Sequence, residues 1–486
     1  MKRSAEEISP GSKSQRSNNE YRGYTVNDAD TVLSVSDVGS FRSQFIDARK
    51  PVKLTCGAPI SIGKFRLESI LDTLQYELPL QVERKVKYGF GSGRTREHLQ
   101  LRDIVHKLRS GDDSYYLTTQ YDEEEDSSFA QLGDGAASNS DLSQHSAQGN
   151  AGASSDDDSI DMSNLHDDFD AGASSDSGAE SDPNTDDMDA EDADFRVRSL
   201  FQPPLTNLVH DESFPIAPAP FQNLIPQQIN LWMGAAATGT AKPDLLNPSA
   251  ESLGRYLPRG NSSGLHHDHA DNLYVLVQGR KRFTLYSPND AAKLYTVGDI
   301  HRIYGNGLID YHVNENARFW RPMREDGAIQ AEWARWALEN NITCGHTSAQ
   351  LTAMIENEPT CAANAETRLD PPSFSRVPPI LAHLDEVPDA AERRALQEYA
   401  DREFPGFRHL GKLEVWLEPG EMLYVPTGWF HEVTSFASEA GAAHVALNWW
   451  FMPPSREGEN PYDDDYWAAD FETTQMALSM TREAAL

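Results

Sequence analysis

Between Tyr121 and Phe195 the chain carries 23 Asp and Glu residues and no Lys or Arg, set among Ser, Ala and Gly. Such a stretch cannot bury enough apolar surface to offset the entropy of ordering it, so composition predicts a disordered acidic insertion over 121–195. Any folded core must then be assembled from two pieces of chain that lie on either side of this gap. The short echo of Ala151-Gly-Ala-Ser-Ser-Asp in Ala171-Gly-Ala-Ser-Ser-Asp is too little for a solenoid, which needs at least about three units.

Of the 486 residues, those outside the insertion hold 53 acids against 42 bases, and the whole chain carries a formal net charge of −34. Binding to a phosphate backbone depends on clustered Lys and Arg, so nucleic acid is not expected as the main ligand. A basic protein partner is favoured instead by electrostatic steering. Three Cys (Cys56, Cys344, Cys361) and an opening without a charged-then-apolar signal argue against a disulfide scaffold in an oxidising compartment. No apolar run approaches the about 18 residues of a membrane helix. An intracellular protein with no membrane span is expected, nuclear or cytoplasmic. Lys2-Arg3 with Lys13 and Arg16 resembles a split basic import signal and leans toward the nucleus, although a solvated tail explains it equally well.

The hydrophobic pattern divides the chain into a polar tail over 1–27, an α/β portion over 28–120, the insertion, a main portion over 196–455 and a C-terminal tail or helix over 456–486. In the first folded piece, helices are expected at 41–46, 65–73 and 99–108, with strands at 51–54 and 114–118. The second piece opens with a proline-rich approach to a strand at 229–233. Short β-like runs follow at 273–277, 282–286, 413–417, 422–425 and 444–451, punctuated by Gly and Pro, which suggests a sandwich or barrel. Between about 325 and 404 the period becomes helical, so a helical insertion interrupts the β core. Trp333 and Trp336 lie i,i+3 there and read as a packing stripe.

The segment His266-His267-Asp268-His269 is dense in metal-competent side chains. On a strand, residues two apart share a face, so His266 and Asp268 would present an imidazole beside a carboxylate. A third ligand is offered by His431, which follows a strand and a Pro-Thr-Gly turn at 426–428. Two His and one carboxylate form a facial triad with open coordination positions, suited to a non-haem Fe(II) oxygenase.

The spacing Gly260, His266-x-Asp268, Asn272, Gly279 is similar to a first cupin motif, with Asp and Asn in place of the usual His and Glu; Gly420, Pro426-x-Gly428, His431 is similar to a second. The chain resembles the Jumonji C (JmjC) family of Fe(II)- and 2-oxoglutarate-dependent dioxygenases, especially its small protein hydroxylases. That resemblance implies a mainly β double-stranded β-helix, a jelly roll of cupin type with helical decoration. It also implies Fe(II) held by His266, Asp268 and His431, with 2-oxoglutarate and O₂ as co-substrates. Lys281 resembles the lysine that pairs with the far carboxylate of 2-oxoglutarate, and Tyr116 the phenol that hydrogen-bonds it, though Tyr115 competes for the inward position. Asn272 and Asn448 resemble amides flanking the co-substrate, and Ser263 its hydroxyl donor. Tyr274 would share the face of Asn272 and line the substrate side. The implied reaction is hydroxylation of a protein side chain, or N-demethylation as in histone demethylases, coupled to decarboxylation of 2-oxoglutarate to succinate. Histone or ribosomal proteins are candidate basic substrates.

Several readings compete. His267 and His269 would make the pair in a shifted register, and the Asp268-to-His431 separation of 163 residues is long for a compact family member. Cys344, His346 and Cys361 form an irregular trio that is a poor zinc site. Trp429 and the tyrosines also fit a plain aromatic core. A tRNA-modifying hydroxylase would need a basic groove, and a catalytically silent cupin-fold interaction protein would use the acidic insertion to hold basic partners.

Overall fold

The computed structural model describes residues 18–27, 30–86, 88–91, 95–118, 120, 188–237, 242–361, 370–437 and 443–484. Two sheets face each other. The larger has nine strands in the order Leu33–Val35, Val52–Leu54, Met422–Val425, Asp271–Gln278, Ala443–Phe451, Pro226–Ala235, Tyr115–Leu117, Pro79–Arg84, Arg96–Gln100. The smaller has five, ordered Leu413–Leu417, Arg280–Tyr286, Phe430–Phe436, Gly260–Ser262, Tyr256–Leu257. Successive strands cross from one sheet to the other, as 271–278 does to 280–286 through Gly279 at φ +89°. This is the jelly-roll architecture of mainly β type with helical decoration that the family resemblance implies, and it falls within the sandwich or barrel expected from the strand runs.

Strand alternation sorts the side chains into two layers. Leu273, Val275, Val277, Leu447, Trp449, Ile229 and Leu231 face outward from the larger sheet, into a core with the helices Leu101–Arg109, Ala190–Leu200 and Tyr466–Ala484. Tyr274, Leu276, Leu423, Val425 and Ala446 face inward and meet Phe283, Leu285, Leu413, Val415 and Leu417 of the smaller sheet. Burial on both faces explains the near-continuous apolar runs. On the central strands the inward face also carries Asn272, Asn448 and Asn230, all buried. Polar groups at those depths are costly unless used.

The helical excursion contains Gln330–Glu339, Ser348–Glu356 and Ala390–Glu403, which build a separate apolar cluster including Trp333, Leu396 and Phe404. Trp336 is half-buried at its edge, as a packing stripe requires. The excursion docks on the outer face of the smaller sheet through polar contacts. His383 Nε2 lies 3.2 Å from the Thr284 hydroxyl and 3.4 Å from the Glu432 carboxylate, and Arg282 pairs with Glu386.

Three local expectations change. The helix expected at 65–73 is a 3-10 turn, Ile62–Phe65, and a short helix, Ile70–Leu74, because both peptide groups of Leu67 are captured by distant partners. Its N–H donates to the Gln278 side chain at 3.1 Å and its carbonyl accepts from Arg109 at 2.7 Å. Leu99 and Gln100 belong to a strand, not to the helix that follows them. The helix Ala190–Leu200 begins inside the segment assigned by composition to the insertion. There the Asp189 carboxylate accepts from the N–H groups of Glu191 and Asp192, and acids in a first turn complement the helix dipole. Residues 121–187 of the acidic segment and 1–17 of the polar tail lie outside the described residues, whereas the end of that tail is placed, Asn18–Asn19 pairing in parallel with Arg302–Ile303. Among the described residues no helix is long and apolar enough to cross a membrane.

Candidate metal centre and co-substrate pocket

His266 does not sit in a regular strand. It lies on an extended segment tied to the smaller sheet by a reciprocal pair of backbone bonds, His266 N–H to His431 O at 3.1 Å and His431 N–H to His266 O at 2.7 Å. The two imidazoles are thereby brought side by side, with ring centres 4.4 Å apart and planes tilted by 57°. Asp268, two residues on, is held by the bond from Gly428 N–H to its carbonyl at 2.9 Å. Gly428 has φ +72°, and a Cβ there would meet Gly307 O at 1.8 Å, so only glycine fits the turn that delivers His431.

His266, Asp268 and His431 each offer one ligand atom, all within 4.8 Å of one another, the one such group found among the described residues. The histidine tautomers follow from their partners. Nδ1 of His266 lies 3.0 Å from Gly264 O, and Nδ1 of His431 lies 3.0 Å from Trp429 O. A carbonyl can only accept, so each Nδ1 carries the proton and each Nε2 keeps a lone pair for the centre. Burial and the neighbouring His431 push His266 well below the ordinary histidine range, which keeps it neutral. These donors fit a divalent ion such as Fe(II). His267 and His269 point elsewhere: His267 Nε2 is 2.5 Å from the Tyr311 hydroxyl, and His269 packs on Trp320. The shifted register therefore gathers no metal group. Cys344, His346 and Cys361 likewise do not gather one.

The Asp268 carboxylate is oriented from behind by a chain of donors. Trp232 Nε1 donates to Asn448 Oδ1 at 2.7 Å, Asn448 Nδ2 to Asn272 Oδ1 at 3.1 Å, and Asn272 Nδ2 to Asp268 Oδ2 at 3.1 Å. An indole N–H can only donate, so it sets the direction of both amides and obliges Asp268 to accept. Asn272 and Asn448 thus serve as supports of the carboxylate in this structure. Removing such a support costs about 10- to 100-fold in metal affinity. Asn272→Ala should weaken Mn(II) or Co(II) binding by that much in calorimetry, and Trp232→Phe should act in the same direction. Unchanged affinity in both would sink the relay.

Lys281 sits on the inward face beside Phe283 and Leu285, as alternation predicts, and is 1% exposed. Its ammonium donates to the Tyr116 hydroxyl at 3.1 Å and lies 5.4 Å from the centre of the Tyr274 ring. Burial pushes it down to about 7. Among the described residues no carboxylate pairs with it, so the pocket has a cation site prepared for an anion. Because Lys281 donates to Tyr116, the phenol keeps its own O–H for a further acceptor, and burial pushes its titration upward. Tyr116, not Tyr115, is the inward tyrosine. His444 and Tyr274 complete the pocket, His444 lying 5.6 Å from Tyr116 ring to ring. Ser263 is placed differently from its expected role. Its hydroxyl donates to Gly264 O at 3.0 Å and accepts from Val433 N–H at 3.1 Å, which pins the His266 segment to the smaller sheet.

Sequence reasoning missed Arg49 and Asp271. Arg49 grips the Asp271 carboxylate with two bonds of 2.5 and 2.9 Å, and Tyr424 and the Thr427 N–H add bonds of 2.6 and 3.0 Å. Asp271 is three residues past Asp268, and Thr427 is four before His431. The pair therefore fixes both arms of the centre from beneath. A lone Arg in a polar stretch far from either motif gives no signal in a single sequence.

Comparison with known proteins agrees with this architecture. The cupin-like domain family matches residues 98–457. JmjC domain-containing protein 4 of Schizosaccharomyces pombe is 25% identical over an alignment covering 92% of this chain and 91% of that protein. With two crossing sheets and paired motifs at the mouth between them, the chain belongs to the cupin-like, JmjC-type domain family.

Proposed function

We propose that the protein is an Fe(II)- and 2-oxoglutarate-dependent dioxygenase that hydroxylates a protein side chain. The observation that carries this reading is the pairing of two features in one interior: a His, Asp, His group with both Nε2 lone pairs free, and a buried lysine without an anion. When bound, ferrous iron would supply O₂ activation, and 2-oxoglutarate would supply two electrons and leave as succinate and CO₂. His266, Asp268 and His431 would hold the metal. Lys281 and the Tyr116 hydroxyl would bind the far carboxylate, a charge-assisted pair that fixes the orientation of the keto acid. Phe283, Tyr274 and the surrounding apolar wall exclude water from that end. Family membership supports the same chemistry. The net charge of −34 favours a basic protein target, and attack on an N-methyl carbon would turn the same step into demethylation.

Purified protein given Fe(II), ascorbate and 2-oxoglutarate should release succinate. In His266→Ala, release should fall to background, while His267→Gln should retain it. Succinate release that survives His266→Ala, or that needs His267, contradicts the assignment.

A further inference from the structure

Three inward side chains beside the metal group carry polar atoms that meet no partner among the described residues. Trp450 stands directly across from Asn272, Gln228 across from Trp450, and Asn230 across from Asn448. Asn230 is 0% exposed, Trp450 5% and Gln228 6%. Yet Asn230 Nδ2 and Oδ1, Gln228 Oε1 and Trp450 Nε1 meet no hydrogen-bond partner among the described residues. Buried polar atoms are almost always satisfied by protein, ordered water or a ligand. The neighbouring amides of Asn272 and Asn448 are both engaged in the relay to Asp268. These four atoms lie together on the inward face, next to the amide that holds Asp268, and the buried Tyr274 hydroxyl in the row of Asn230 is likewise unpartnered among the described residues.

The chemistry of the patch restricts its guest. It offers donors, the Asn230 amide and the Trp450 indole, and acceptors, the Asn230 and Gln228 amide oxygens. Val425, Asn272, Trp450 and Gln228 form one row across the sheet, and Leu423, Tyr274, Asn448 and Asn230 the next. Neither row contains a charged side chain. The nearest charges are already assigned, Asp268 behind Asn272 to the metal and Lys281 beside Tyr274 to the co-substrate, so an ion would find no counter-charge of its own here, and an apolar group would leave the orphaned atoms unpaired. A neutral amide, with a carbonyl oxygen beside an N–H, satisfies both kinds of atom. The Trp232 and Trp450 rings, with centres 6.3 Å apart, supply an apolar wall for the carbons next to it.

We propose that Gln228, Asn230 and Trp450 form a subsite that receives an amide group of the polypeptide substrate, a proposal that rests on the protein-hydroxylase reading above. The test follows the Trp450 indole N–H resonance in the ¹⁵N-labelled full chain, identified by its loss in Trp450→Phe, during titration with acetamide, N-methylacetamide, methylammonium and acetate. A saturable shift with one or both amides, absent in Asn230→Leu, is expected, with no shift from either ion. Response to acetamide alone assigns an Asn or Gln side chain as the source, and response to N-methylacetamide assigns a main-chain peptide group. If Asn230→Leu does not fold, Gln228→Leu gives the same comparison. A resonance that no amide moves, as a site filled only by water would give, overturns the proposal. So does one that an ion moves as far. The titration needs neither metal nor turnover, so its failure is distinct from failure of the oxygenase reading, which succinate release decides.

Discussion

Lys281→Met should raise the KM for 2-oxoglutarate by about 30-fold or more while leaving the fold intact. Truncating one partner of a buried, hydrogen-bonded charge pair costs about 2–5 kcal/mol, and the lower figure corresponds to about 30-fold. Methionine keeps most of the apolar stem that packs against Tyr116 and Tyr274, so the loss is of charge and not of volume. Steady-state kinetics of succinate formation at varied 2-oxoglutarate reads the effect, and an unchanged KM removes Lys281 from the pocket. The wild type should show a matching pH dependence. With Lys281 at about 7 in the free protein, a doubly charged guest binds its protonated form and raises its affinity for the proton. Apparent affinity should therefore be greatest below pH 7 and fall about tenfold per unit above it, until the lysine of the complex itself titrates. In Lys281→Met that slope should vanish.

Breaking the Arg49–Asp271 pair should have the largest effect on stability. Both side chains are buried, at 5% and 0% exposure, and removing one partner strands the other. The expected cost is about 3–5 kcal/mol for Arg49→Met, read by urea denaturation. Replacing both, as Arg49→Met with Asp271→Leu, should recover part of that loss, because no buried charge is then left unpaired. The metal group should still suffer in the double variant, since Thr427 and the end of the 271–278 strand lose their common anchor. A single variant as stable as the wild type would show that the pair is not a structural anchor.

The β core was legible because its strands are buried on both faces and bounded by Gly and Pro. Leu413–Leu417 and Met422–Val425 coincide with the apolar runs at those positions. His431 and Asp268 were legible from spacing, and Lys281 from the alternation with Phe283 and Leu285. What stayed hidden depends on contacts between distant residues. His266 lies on a bridge segment, not a strand, because its backbone pairs with His431 across the mouth of the roll. Ser263 turns to Val433 for the same reason. The strand Pro79–Arg84 carries too mixed a pattern to stand out, and its burial comes from pairing on both sides. Asn272 and Asn448 were noticed as amides of the site, but the part played by Trp232 in setting their direction needs coordinates.

The most direct test is the position of the metal itself: iron anomalous scattering from a crystal of the protein grown without oxygen, with Fe(II) and 2-oxoglutarate present. One ion is predicted at about 2 Å from Nε2 of His266, Nε2 of His431 and a carboxylate oxygen of Asp268, with the far carboxylate of 2-oxoglutarate on Lys281 and Tyr116. An ion bound instead by His267 or His269, or 2-oxoglutarate lying away from Lys281, would contradict the account.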